Sequence, residues 1–284
     1  MFDLVNLKVN GVSFSIGSAD ILKDVEFSVD SGEIIAILGQ NGSGKTTLLN
    51  CINSEYRSKK GSVTVDHFSK DILDNVAKKD GPFDILDFSY LERSRILATV
   101  EQNSVASFPF TVLETVRMGR YSNKGEVEEN SVEELREIYS LMKETEILGF
   151  AEGPVNELSG GEWRRVMITQ SLAQNPEILL LDEPTLHLDI NHQFELMDIL
   201  KRTIKQRNIL VIMVTHDISL AARYCDRTII MENGEIVALG NTKDVITSDN
   251  LEKVFQMNAR ISYNEEIDGL EVFFVGKSNR DAIT

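Results

Sequence analysis

The chain has 284 residues, 42% hydrophobic and 26% charged, enough for a sizeable core in one large domain or two small ones. Twenty-nine basic residues against 45 acidic ones leave a formal charge of −16, which argues against a surface that wraps nucleic acid. The opening "MFDLVNLKVN" has no basic stretch leading into a long apolar one, and no run reaches the length of a membrane span, so the expectation is a soluble cytoplasmic protein. In chain order, residues 3–36 read as short alternating strands and turns. The apolar run 34–38 predicts a strand, "GQNGSGKTT" (39–47) a loop, and "TTLLNCI" a helix burying Leu48, Leu49 and Ile52. An acidic helical pattern spans about 126–150, with Val132, Leu135, Ile138, Leu141 and Met142 on one face; Glu128, Glu129, Glu133, Glu134 and Glu137 are expected on the solvated one. "EILLLDE" (177–183) and "NILVIMVTH" (208–216) are continuous apolar runs ending in polar residues, as expected of parallel strands buried on both faces with chemistry at their carboxyl ends. Residues 228–240 predict a hairpin whose Asn233-Gly234 supplies a tight turn. Cys51 and Cys225, far apart and outside any CxxC pair, are expected buried and reduced. Strands alternate with helices, and the fold class is α/β.

The loop carries the first chemistry. Gly39-x-x-x-x-Gly44-Lys45-Thr46 fills every fixed position of the phosphate-binding P-loop. Gly39, Gly42 and Gly44 let the backbone approach a phosphate; the N–H groups of Asn41, Ser43 and Thr47 and their neighbours can then point inward as an anion nest at a helix start. In that pattern Lys45 reaches the β- and γ-phosphates and the Thr46 hydroxyl ligates Mg²⁺. The loop is expected to bind a nucleoside triphosphate.

A second motif narrows the field. "LSGGE" (158–162), a helical segment after it, and "EILLLDEPT" beyond that resemble the ATP-binding cassette (ABC) ATPases, from about residue 2 to 275. The resemblance implies a P-loop NTPase fold with a mostly parallel core sheet, an N-terminal antiparallel β subdomain and an inserted α-helical subdomain. The expected domains are an ATPase domain over 1–245, made of a nucleotide-binding core (1–95 and 163–245) and a helical, signature-bearing part (96–162). A surface insertion is expected at 66–92, and a helix–strand extension at 246–284. By the same resemblance Asp182 holds Mg²⁺, Glu183 polarises the attacking water, Gln102 touches the metal and the water, and His216 senses the γ-phosphate. Ser159, Gly160 and Gly161 would complete the site of a partner subunit, and Asp189 occupies the D-loop. ATP and Mg²⁺ are the implied cofactors, and one P-loop with one signature per chain implies a homodimer.

Ile16 stands where the family places an aromatic residue on adenine, with Phe14 two positions earlier as the other candidate. Trp163 replaces a usual polar residue and is expected to pack. "FTVLETVRMGRY" (110–121), "PVNELSGGEWRRV", "DEPTLHLDI" and the tail 245–262 resemble importer subunits for iron–siderophores, haem and cobalamin. That implies integral-membrane permease partners and, through them, a substrate-binding protein. It also implies attachment to the inner face of the membrane, with docking near Gln102, Phe108, Val112, Val116 and Arg120; core packing is the other reading for the two valines. The alternatives are another ABC transporter, or a non-transport ABC protein of iron–sulfur assembly or nucleotide sensing.

Overall fold

The structure is a computed structural model that describes residues 5–66, 82–102, 109–123 and 132–278. Its centre is a six-stranded sheet in the order β10-β9-β3-β8-β7-β6. The parallel strands are β3 (Ile34–Gly39), β6 (Leu97–Val100), β7 (Ile178–Asp182), β8 (Leu210–Val214) and β9 (Arg227–Glu232), and β10 (Glu235–Asn241) runs antiparallel at the edge. Asn233 (φ 51°) and Gly234 (φ 83°) make the β9–β10 turn, both in the left-handed region a primed turn requires.

Alternation along these strands feeds two cores, because successive side chains point to opposite faces. Ile35 and Ile37 of β3, Leu180 of β7 and Ile212 of β8 face one cluster; Ala36, Leu38, Leu181 and Met213 face the other. Such strands must be apolar at every position, which is why they read as unbroken runs. The first cluster is closed by an antiparallel sheet in the order β2-β1-β4-β5, built from β1 (Asn6–Ile16), β2 (Ala19–Asp30), β4 (Lys60–Asp66) and β5 (Phe83–Asp84). Between the sheets lies α1 (Lys45–Ile52), burying Leu48, Leu49 and Ile52 as expected, with Cys51 beside them.

α2 (Tyr90–Ile96) buries Ile96 in the first cluster. The second cluster is covered by helices: α3 (Val112–Met118), α4 (Val132–Glu144), α5 (Gly160–Ala173), α6 (Ile190–Arg207) and α7 (Ile218–Tyr224). The chain ends in α8 (Thr242–Val245), α9 (Ser248–Phe255) and a hairpin of β11 (Met257–Asn264) with β12 (Gly269–Lys277). Trp163 packs against this second cluster, and Cys51 and Cys225 are free and buried.

Several expectations need correction. The N-terminal strands are long, at 11 and 12 residues, rather than short; Gly11 (φ 61°) and the register shifts around it interrupt the pairing of β1 with β2. Of the segment 66–92, residues 67–81 lie outside the described residues, but the rest is no surface ornament. Phe83 pairs with Val65, and Phe83, Ile85 and Phe88 are buried in the first core. Residues 97–100 belong to the central sheet rather than to the helical part. Val132 is exposed, whereas Glu134 is buried on the Arg117 side of α4, its carboxylate 3.8 Å from the guanidinium. Glu128 and Glu129 lie outside the described residues. Val112 and Val116 are fully buried, because one face of α3 is pressed onto α5; they are core and not docking surface.

Candidate active site

The phosphate loop connects β3 to α1 and is shaped by close approaches. A Cβ on Gly39 would collide with the Met231 carbonyl, and one on Gly44 (φ 101°) would lie 2.9 Å from Leu22 Cδ2 and 3.0 Å from the Ile21 carbonyl oxygen. Only glycine fits there, and the loop is therefore locked against β9 and β2. Lys45 is buried, its Nζ donating to the carbonyls of Gly39 (2.8 Å) and Gln40 (3.0 Å). Burial pulls its pKa down, and the nearby carboxylates of Glu183 and Asp182 oppose that shift. The Ser43 hydroxyl is buried with no hydrogen-bond partner among the described residues. A buried ammonium satisfied only by carbonyls and an orphaned hydroxyl both face the loop interior, and an oxygen-rich anion would satisfy both. Asn41, Gly42 and Thr46 form the exposed rim, and Thr47 is half-buried.

Opposite the loop stand the carboxyl ends of β7 and β8. Asp182 is 7% exposed, and its Oδ1 accepts a long 3.4 Å hydrogen bond from Thr46 Oγ1. Burial and then the Glu183 charge push its carboxyl upward, while Thr46, Lys45 and Arg164 pull back. A buried carboxylate beside a second one suits a hard divalent cation, which would sit with Thr46 and phosphate oxygens rather than in an all-protein cage. Among the described residues no cluster of three His, Cys, Asp or Glu offers such a cage. Glu183 takes positive φ (48°), its N–H donating to the Val214 carbonyl at 2.9 Å. That turn aims its side chain at His216, whose Nδ1 lies 2.8 Å from Glu183 Oε2. Four residues named from sequence, Lys45, Thr46, Asp182 and Glu183, thus converge, with His216 as a fifth.

Other expected residues stand apart. Gln102 is exposed at the end of β6, held by its backbone: Arg164 donates to the carbonyls of Glu101 (2.8 Å) and Gln102 (2.9 Å). No hydrogen bond joins its side chain to Thr46 or Asp182 among the described residues. Ser159 caps α5, accepting from Glu162 N–H at 3.3 Å while the Glu162 carboxylate takes the Ser159 N–H at 2.7 Å. Those bonds, the Ser159 hydroxyl first, hold the Glu162 carboxyl below the usual range. Ser159 and Gly160 face solvent; Gly161 is buried, where a Cβ would lie 3.0 Å from the His192 ring. His192 also bonds Asp189, whose carboxylate caps α6, so the signature and the D-loop are neighbours. Ile16, at the tip of β1, is 60% exposed, and Phe14 is stacked on Tyr56 with ring centroids 5.1 Å apart. Phe108 lies outside the described residues. Two ties escaped the sequence reading. Arg164 shares the buried face of α5 with Ile168 one turn on, a charged residue on an apolar face that spacing alone could have flagged. Gln40 Nε2 reaches the Val254 carbonyl on α9 at 2.5 Å, linking the loop to the C-terminal extension.

Comparison with known proteins now bears on this arrangement. Residues 22–186 match the ABC transporter family model. The chain belongs to the ABC transporter family. An ABC transporter ATP-binding protein of Methanocaldococcus jannaschii is 37% identical over 95% of this chain and 97% of that protein. An iron(3+)-hydroxamate import ATP-binding protein of Bacillus subtilis is 32% identical over 90% of both. A cobalamin import ATP-binding protein of Halobacterium salinarum is 32% identical over 91% of this chain, which spans 60% of that longer protein. Among solved structures, cbiO1 of Clostridium perfringens, part of the ABC transporter complex cbiONQ, is 27% identical with TM-score 0.71, covering 87% of this chain and 92% of that one. A dimeric ATP-binding cassette in a post-hydrolysis state with ADP and Pi is 29% identical with TM-score 0.65, over 83% of this chain and 98% of that one. The chain is an ABC ATPase subunit of a transporter, with the α/β fold that was expected. Among the described residues no helix of this ABC protein is long and apolar enough to cross a membrane.

Proposed function

We propose that this ABC ATPase energises an importer of metal chelates of the iron–siderophore, haem or cobalamin kind. It would work as a homodimer beneath integral-membrane permease subunits fed by a substrate-binding protein, and so lie peripherally on the inner face of the membrane. The observation that carries this reading is the kinship with subunits named for iron(3+)-hydroxamate and cobalamin import, both cargoes being bulky metal chelates. An exposed apolar surface supports a membrane partner: Tyr90 and Leu91 on α2, with Phe110 and Tyr121 flanking α3, stand where Val112 and Val116 do not.

In the proposed cycle the loop N–H groups, Ser43 and Lys45 grip the β- and γ-phosphates of ATP, with Ile16 beside the base. Thr46 and Asp182 would hold Mg²⁺, with Gln102 as a further ligand; bound there, the ion would supply neutralisation of charge on the transferred phosphoryl group. Glu183 orients the attacking water and takes up its proton. His216, which holds the Glu183 carboxylate in the present form, turns toward the γ-phosphate in the closed one. Ser159, Gly160 and Gly161 of one protomer cover the nucleotide held by the other, and Asp189 borders that junction. Positioning and fixed charge then supply most of the rate, since the phosphoryl group needs little covalent help.

Affinity purification of the tagged chain from detergent-solubilised native membranes tests the transport reading. Recovery of a stoichiometric polytopic permease is expected, and its companion binding protein identifies the cargo. Recovery only in the soluble fraction, with iron–sulfur assembly proteins, would leave the ATPase standing and overturn the transport role.

A further inference from the structure

A cleft of about 420 Å³ opens where the C-terminal hairpin meets the ATPase core. Its walls are the last two turns of α6, the end of α7, the start of α8 and the β11–β12 turn. Four cations line it: Lys201, Lys205, Arg223 and Lys243. In a chain of net charge −16 that concentration stands out, and none of the four forms an ion pair with a carboxylate among the described residues. Two carboxylates share the lining, Asp226 and Asp268, so the four cations are only half balanced, and each carboxylate is held by a neutral donor. Asp226 accepts the Ile34 N–H at 2.8 Å, and Asp268 accepts the Tyr263 hydroxyl. Two of the cations are oriented by aromatic rings: Arg223 lies 4.8 Å from the Phe194 centroid and 5.4 Å from that of Tyr224, and Lys201 lies 5.9 Å from Tyr224. The cleft is held in shape from the other side, since a Cβ on Gly269 would sit 3.2 Å from the Arg223 backbone.

Like charges gathered around a concavity repel one another, and a protein with an excess of carboxylates had ample means to neutralise them. We propose that this cleft is a binding site for a small soluble anion carrying two or more charges, of the pyrophosphate or tricarboxylate class, which clamps the hairpin to α6 and α7. The assignment is independent of the transported cargo. It matters for the ATPase because α7 is capped by Asp217, next to His216, and α6 by Asp189, beside the signature glycines. The extension is also tied to the phosphate loop through Gln40 and Val254.

The test uses the full chain carrying Lys45→Ala, so that the phosphate loop takes the probe more weakly, and inorganic pyrophosphate titrated calorimetrically. Pyrophosphate is expected to bind, more weakly as salt is raised, because exposed cations are screened over about 10 Å at 0.1 M. Adding Lys205→Ala and Lys243→Ala, both on exposed side chains, should weaken binding by about tenfold or more. No binding to the Lys45→Ala chain, binding undiminished by the two further substitutions, or binding only to anionic lipid vesicles would each overturn the proposal.

Discussion

The two parts of the ATP machinery on this chain are built in opposite ways. The phosphate-loop half is closed on itself. Its lysine is buried, Gly39 and Gly44 abut the backbone or side chains of other strands, and Glu183 and His216 hold each other. The signature half has its local needs met, with Ser159 and Glu162 forming a reciprocal cap, yet Ser159 and Gly160 are presented to solvent. A surface that is locally finished but outwardly bare has room for a partner, as the proposed dimer requires, whereas the loop half already has buried charge of its own. In this reading, affinity belongs to the first half and timing to the second.

The largest effect should come from Glu183→Gln. Removing the base while leaving Lys45 and Ser43 in place should lower phosphate release by about 10²-fold or more with ATP binding retained. Hydrolysis at the parent rate would move the base elsewhere. Lys45→Ala should cost about 30-fold or more in ATP affinity, since it removes a desolvated charge from the anion. Filter binding with a labelled nucleotide measures this, and unchanged affinity would mean the loop amides suffice alone. The contrast between halves is sharpened by mixing. Chains carrying Lys45→Ala and chains carrying Gly160→Asp are each expected to be inactive, but together they should recover activity, because each mixed dimer keeps one intact composite site. No recovery would place the signature in cis.

Arg164→Met probes the tie between α5 and the chain just after β6. The guanidinium joins α5 to the carbonyls of Glu101 and Gln102, and losing both bonds should cost about 1–3 kcal/mol in urea denaturation. The substitution should also reduce the maximal hydrolysis rate more than ATP affinity, since it leaves the loop contacts alone. Equal loss in both would make Arg164 a purely structural tie.

How much of this was legible beforehand depends on whether the signal was local. The loop, β7 and β8 were readable because glycine spacing and unbroken apolar runs are local properties, and the fold class followed from them. Glu134 was not, since a charged residue in a helical pattern is assigned to solvent until tertiary packing buries it; Arg164 was passed over for the same reason, although its place one turn before Ile168 on an apolar face could have flagged it. The strand at 83–84 is two residues long and exists only by pairing with β4, so no periodicity could reveal it. The Gln40–Val254 bond joins residues 214 apart, and the basic cleft assembles α6, α7, α8 and the hairpin. Those were invisible for the same reason: topology, not sequence neighbourhood, brings them together. Lys45 and Thr46 followed from the P-loop pattern, while Asp182, Glu183 and His216 rested on the family resemblance, and their separation along the chain shows why motif logic was needed.

The smallest expected effect separates the metal role of Asp182 from a structural one. Its carboxyl is raised in the fold by burial and by the Glu183 charge, so its ionised form weakens the nucleotide-free fold. That cost is fully present above the raised folded value and disappears below the ordinary aspartate value, where the group is neutral in both states. Asp182→Asn should therefore melt higher than the parent at neutral pH without nucleotide or Mg²⁺. The advantage should shrink as pH falls through the folded value towards the unfolded one. With ATP and Mg²⁺ the order should reverse, because the parent alone gains the linked stability of a held cation. If the asparagine chain is less stable at neutral pH even without ligands, the hydrogen bond from Thr46 outweighs the buried charge. Asp182 would then be a strut between loop and strand.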